Sequence, residues 1–85
     1  MKIPYTYTIY KLNIQTGHIE INYTPQDETL TAITYNVPIM FNEDGTQMEM
    51  EKNVDMFAPY REWAAQKFLI ENASTVLNST GTVNS

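Results

Sequence analysis

A chain of 85 residues with no cysteine and a net charge of −5 is one small domain at most, with neither disulfides nor thiolate metal ligands to reinforce it. Its five basic residues, Lys2, Lys11, Lys52, Arg61 and Lys67, are scattered, which argues against the clustered cations that direct nucleic-acid binding requires. The opening MKIPYTYTIY has no continuous apolar stretch of the signal-peptide kind, and no segment approaches the roughly 20 apolar residues that cross a bilayer, so neither secretion by a signal peptide nor a membrane partner is expected.

In chain order, Ile3, Tyr5, Tyr7 and Ile9 are apolar at odd positions, whereas Tyr10, Leu12 and Ile14 are apolar at even ones. The pattern predicts a strand over about 3–14 with a bulge or bend between Ile9 and Tyr10, or a separate N-terminal strand segment able to pair with a neighbouring chain. A second alternating run, His18 to Thr24, follows Thr16-Gly17. A two-residue turn there pairs Tyr10 with Tyr23, Leu12 with Ile21 and Ile14 with Ile19 on one face, leaving Lys11/Asn22, Asn13/Glu20 and Gln15/His18 on the wet one.

After the polar TPQDE loop, alternation resumes over about 30–41, and a turn in Asn42-Glu-Asp-Gly45 returns the chain as a strand over about 46–52, with Ile39 facing Met48 and Val37 facing Met50. Pro38 has no amide hydrogen and belongs on a sheet edge or at a bulge. From about 58 to 77 the pattern turns helical: Pro59 suits a first turn, Ala, Glu, Gln, Lys and Leu fill the body, and Asn78 with Gly81 offers a stop. Residues 79–85, STGTVNS, read as a flexible tail.

The fold class expected is therefore α+β: an antiparallel sheet of two β-hairpins, with room for an extra N-terminal strand, covered by one long C-terminal helix, all in a single domain over 1–78. That helix carries more apolar surface than one sheet can cover. Tyr60, Ala64 and Phe68 form one stripe, Ala65, Leu69, Ala73 and Val76 another, and Trp63, Ile70 and Leu77 a third side. Tyr60 and Phe68 are expected to lean on the sheet, and Arg61 and Trp63 to meet a neighbour. Arg61, in the first helical turn where the dipole disfavours a cation, calls for a carboxylate from Glu49, Glu51, Asp55 or a partner. With Lys67 and Ile70, these two complete the candidate protein interface.

Candidate chemistry is sparse. His18 is the only histidine and has no second histidine for zinc and no nucleophile beside it; Glu20 is its neighbour on a solvated strand face. Asn42–Thr46 has the acidity and glycine of a calcium loop without its spaced ligands, and turn chemistry accounts for it. The glycines at 17, 45 and 81 build no phosphate loop, and the six tyrosines lack the basic groove of a stacking platform. No enzyme, cofactor or metal is expected. Surplus apolar surface and an open strand edge point to a noncatalytic structural or adaptor subunit that self-assembles or docks into a larger assembly. The alternative is a small acidic inhibitor that fills a basic site with Glu43, Asp44, Glu49 and Glu51.

In size, lack of cysteine and richness in Thr and Asn, carried by segments such as YTYTIYKLNIQTG and FAPYREWAAQKFLIENASTVLNSTG, the chain resembles the small structural proteins of tailed-bacteriophage virions. The resemblance is one of style across all 85 residues and transfers no functional residue. It implies virion localisation, as capsid decoration or tail component, with other virion subunits as partners; without it the expected location is cytoplasmic.

Overall fold

A computed structural model describes residues 2–83. The element order is β1 (Tyr5–Asn13), β2 (His18–Pro25), β3 (Ile33–Pro38), α1 (Met50–Met56), α2 (Tyr60–Glu71) and α3 (Ala73–Val76). The strands form one antiparallel sheet in the order β1-β2-β3, so the architecture is α+β. Both outer strands are edges, and Pro38 ends one of them, where a missing amide hydrogen breaks no ladder.

The bulge expected after Ile9 is present. Ile9 pairs with Ile21 and Lys11 with Glu20, leaving Tyr10 unpaired. One extra residue reconciles the two parities, so that Tyr7, Ile9 and Leu12 all oppose core-facing residues of β2, namely Tyr23, Ile21 and Ile19. The expected two-residue turn is corrected to a longer one: Asn13 pairs with His18, and residues 14–17 make the turn. Gly17 alone there has positive φ, at 69°. A type I′ turn at Thr16-Gly17 needs positive φ at both residues, which a β-branched Thr resists, and type II′ needs Gly first. Asn13 instead organises the loop, its carbonyl accepting from the Gly17 amide at 2.9 Å and its side chain from the Thr16 amide at 3.2 Å. Leu12 thus faces Ile19 rather than Ile21, and Ile14 is carried into the turn, 84% exposed.

The second hairpin is corrected more deeply. The turn forms, with Gly45 at φ 90° and the Asn42 amide donating to Thr46 at 2.7 Å. Pairing then stops after the Phe41–Gln47 bridge and a Met48-to-Met40 bond of 3.0 Å. The predicted strand over 46–52 gives way to α1, because Met50, Asn53, Val54 and Phe57 fall at helical spacing and bury or half-bury one face. The long helix expected over 58–77 is likewise two pieces. Asn72, at φ −117°, donates both its amide N–H and its side-chain Nδ2 to the Phe68 carbonyl, at 2.9 and 2.8 Å, and interrupts the ladder. Of the tail expected over 79–85, residues 79–83 are exposed and irregular, and the last two lie outside the described residues.

The core sits between one sheet face and α1 with α2: Ile19, Ile21 and Tyr23 of β2, Val37 of β3, Leu30, Ile3, Val54 and Trp63. Asn53 is the one buried polar residue among those described, and it acts as a clamp. Its Oδ1 accepts from the Met40 amide at 2.6 Å and its Nδ2 donates to the Pro38 carbonyl at 3.1 Å, satisfying two backbone groups where β3 ends. The shape is elongated, 52 × 35 × 23 Å, with a radius of gyration of 17.3 Å against about 12 Å for a compact chain of this length. No helix among the described residues is long and apolar enough to cross a membrane. Asn53→Ala should lower unfolding free energy by about 2–4 kcal/mol in urea titration, since a fully buried side chain is lost and two half-buried backbone partners are left unpaired.

Candidate functional site

Two sets of side chains could carry function: a polar–aromatic cluster that joins five segments, and apolar surface left in water. In the cluster, Tyr5 of β1, Tyr60 and Trp63 of α2 and Tyr23 of β2 stack edge-on or tilted, with ring centroids 5.5–6.4 Å apart in the pairs that touch. Asp55 of α1 accepts from the Tyr60 hydroxyl, from the Tyr5 hydroxyl at 2.9 Å and from Lys2 Nζ at 3.2 Å. Tyr23 Oη donates to the Val54 carbonyl at 2.6 Å. The donor hydroxyl of Tyr60, then the Tyr5 hydroxyl and the Lys2 ammonium, hold the Asp55 carboxyl below the usual carboxylate range against a smaller opposing effect of burial. Burial first, and the Asp55 charge after it, push Tyr60 and Tyr23 up to about 12 and Tyr5 higher still.

Every tyrosine hydroxyl of this cluster has an acceptor, and packed rings fill the space between them. Among the described residues, no group of three or more His, Asp or Glu is placed to hold a metal. The cluster therefore fastens the N-terminal segment, β1, β2, α1 and α2 to one another.

Trp63 is fully buried, and its Nε1 donates to the Thr31 carbonyl at 2.9 Å. Gln66 completes the bracket: its Oε1 accepts from the Thr31 amide at 3.0 Å and its Nε2 donates to the Thr31 hydroxyl at 2.9 Å. Lys67 Nζ lies 3.5 Å from Asp27, a carboxylate held below its usual range mainly by Thr29. One face of α2, through Trp63, Gln66 and Lys67, is thus fixed to the loop joining β2 and β3.

Of the candidate interface residues, Arg61 is exposed beside a shallow cleft of about 320 Å³ lined by Tyr35, Met56 and Phe57. It makes no ion pair among the described residues: Asp55 pairs with Lys2, and Glu49 with Lys52 at 3.6 Å. Trp63 is core, and the expectation that it meets a neighbour is corrected, because the sheet lies on its side of the helix. Phe68, expected on the sheet, instead points outward and is 59% exposed. Lys67 is half-buried against Asp27, and Ile70 is 49% exposed.

The apolar surface that sequence reasoning missed is on β1. Tyr7, Ile9 and Leu12 point to the core face of the sheet yet stay exposed, Leu12 at 59%, because α1 and α2 cover β2, β3 and only the Tyr5 end of β1. A strand pairing pattern marks which face is apolar but not how far a helix reaches over it. The far half of α2 and the segment after it add Phe68, Leu69, Ile70, Val76 and Leu77. His18 and Glu20 stay on the solvated face of β2, with His18 Nδ1 2.9 Å from the Thr16 carbonyl.

Trp63→Ala should cost about 3–5 kcal/mol of stability in urea titration, whereas Arg61→Ala should stay within about 0.5 kcal/mol of wild type. The Asp55 contribution is complete above the unfolded carboxylate value of about 4 and is lost as pH falls through the depressed folded value. The tyrosine contribution is complete below about 10 and is lost as pH rises toward 12. Urea midpoints measured across pH should therefore fall at both extremes. Asp55→Asn should start lower at neutral pH with a shallower acid limb, the remainder coming from Asp27 and Asp44, also held below their usual range. No family model, curated protein or solved structure matches this chain.

Proposed function

We propose that this chain is a noncatalytic structural or adaptor subunit that docks into a larger protein assembly. The observation that carries the reading is the quantity of large apolar side chain left in water on two surfaces, the exposed part of β1 and the far half of α2 with the segment that follows. Contiguous apolar surface of this kind marks contact with another chain more often than it marks a free monomer. The virion of a tailed bacteriophage, as capsid decoration or tail component, is the setting we assign to it, on the resemblance in size and composition. The acidic residues support an inhibitor role less well: Asp44 accepts from the Thr46 amide and hydroxyl, at 3.0 and 2.6 Å, within its own turn, and Glu49 pairs with Lys52.

The complex purified from its natural source should hold this protein at fixed stoichiometry and survive molar salt, because burial of apolar groups is not screened. Steep dissociation with salt would instead favour the carboxylate-driven inhibitor. Recovery of the protein alone, monomeric by light scattering and native mass spectrometry across the micromolar range, would sink the docking role.

A further inference from the structure

The two uncovered surfaces are complementary in kind and lie in different places. On β1, Tyr7, Ile9 and Leu12 form a sheet strip without a helix over it, with Ile14 exposed at the hairpin turn beyond Leu12. The helical segment beyond Lys67 is its converse, a helix with no sheet beneath it. Strand Tyr5–Asn13 advances about 3.3 Å per residue, so Leu12 stands roughly 23 Å from Tyr5. Tyr5 is where α2 crosses the sheet, its ring stacked on Tyr60 and Trp63. From there α2 runs to Thr31 and Asp27, in the loop at the same end of the sheet, where Gln66 and Lys67 tether it. The overhanging helix is thus rooted at one end of the sheet and the bare strip lies toward the other. The tethers stop a chain from covering its own strip.

We propose that a second copy of this chain supplies the missing cover: in a two-fold, antiparallel dimer, the helical overhang of each copy packs on the β1 strip of the other. This deepens the docking reading above and rests on it. A two-fold axis across the long direction of the 52 Å molecule brings the strip end of each copy to the overhang end of its partner, so both contacts form at once and the assembly closes.

Area supports the pairing. Tyr7, Ile9, Leu12 and Ile14 with the five apolar residues of the overhang expose roughly 1,000 Å² per copy, judged from their fractional exposures and the size of such side chains. Burying two thirds of this in both copies falls inside the about 1,200–2,000 Å² of a stable interface. Charge is permissive, since Glu71 is the single ionisable side chain between Phe68 and Leu77, and Lys11, the one charge within β1, pairs toward Glu20 on the opposite sheet face. Edge-to-edge pairing of two β1 strands fits less well, because the bulge at Tyr10 interrupts the ladder and the overhang would stay bare.

The full-length protein and two variants decide the matter by analytical ultracentrifugation across the micromolar range. Leu12→Asp alters the strip and Leu69→Asp the overhang. Both residues are exposed in the single chain, so far-UV circular dichroism and the emission of buried Trp63 should report an intact fold. Wild type should form a closed dimer, and each variant alone should dimerise at least ten-fold more weakly. An equimolar mixture should associate at least ten-fold more tightly than either variant alone, because a mixed dimer keeps one sound overhang on one sound strip. A double variant should rescue neither.

Dimerisation untouched by Leu69→Asp, no recovery on mixing, or growth into open-ended polymers would each overturn the two-fold pairing. A monomeric wild type overturns it too. If that monomer still forms its natural complex, the docking role stands without the dimer; if it forms none, both fall.

Discussion

The indole of Trp63 is where sheet and helix become one object. It is buried completely, touches Tyr5 and Tyr60, and donates its single N–H to the Thr31 carbonyl. Thr31 stands just before β3, so this bond locates the helix relative to the strand that closes the sheet. Gln66 then takes up the amide and hydroxyl of the same residue, leaving Thr31 no freedom to move independently of α2. A core of eight apolar residues among those described gives little hydrophobic stabilisation by itself. Directional bonds to loops therefore carry an unusual share of the geometry.

The same economy explains α1. A seven-residue helix is too short to persist alone in water, and this one is held by side chains on both of its flanks. Asn53 reaches the backbone at the end of β3, Tyr23 reaches the Val54 carbonyl, and Asp55 collects Tyr5, Tyr60 and Lys2. These contacts concentrate around β2 and the Tyr5 end of β1. Among the described residues nothing comparable holds a helix over the middle of β1, which is why the apolar strip there is open.

Much of the sheet was legible because period-two patterns carry their own register. The parity change at Ile9 and Tyr10 announced the bulge, and Pro38 announced an edge. What misled was local ambiguity. Met48 and Met50 alternate as a strand would, while Met50, Val54 and Phe57 repeat as a helix would, and the short run fits both until Asn53 is known to be inside. A buried asparagine reads as a surface residue in a sequence. On α2 the surplus of apolar faces was plain, but a helical wheel has no arrow toward the sheet. Trp63 and Phe68 exchanged roles once Thr31 and Asp27 fixed the rotation of the helix. The exposed aromatic on the helix is therefore Phe68 and the buried one Trp63, the reverse of what the wheel suggested.

The bulge at Tyr10 has a further consequence. Remove that single residue and the remaining pairs, Ile9 with Ile21, Lys11 with Glu20 and Leu12 with Ile19, would run as an unbroken ladder with the same side chains facing the same way. Register does not require the insertion. An uninterrupted β1 would, however, present a straight row of free amide and carbonyl groups beside exposed isoleucine, leucine and tyrosine, the arrangement on which strands from other molecules stack without limit. The extra tyrosine interrupts that row, and with Lys11 beside it gives the free edge of β1 two of the features that discourage strand addition.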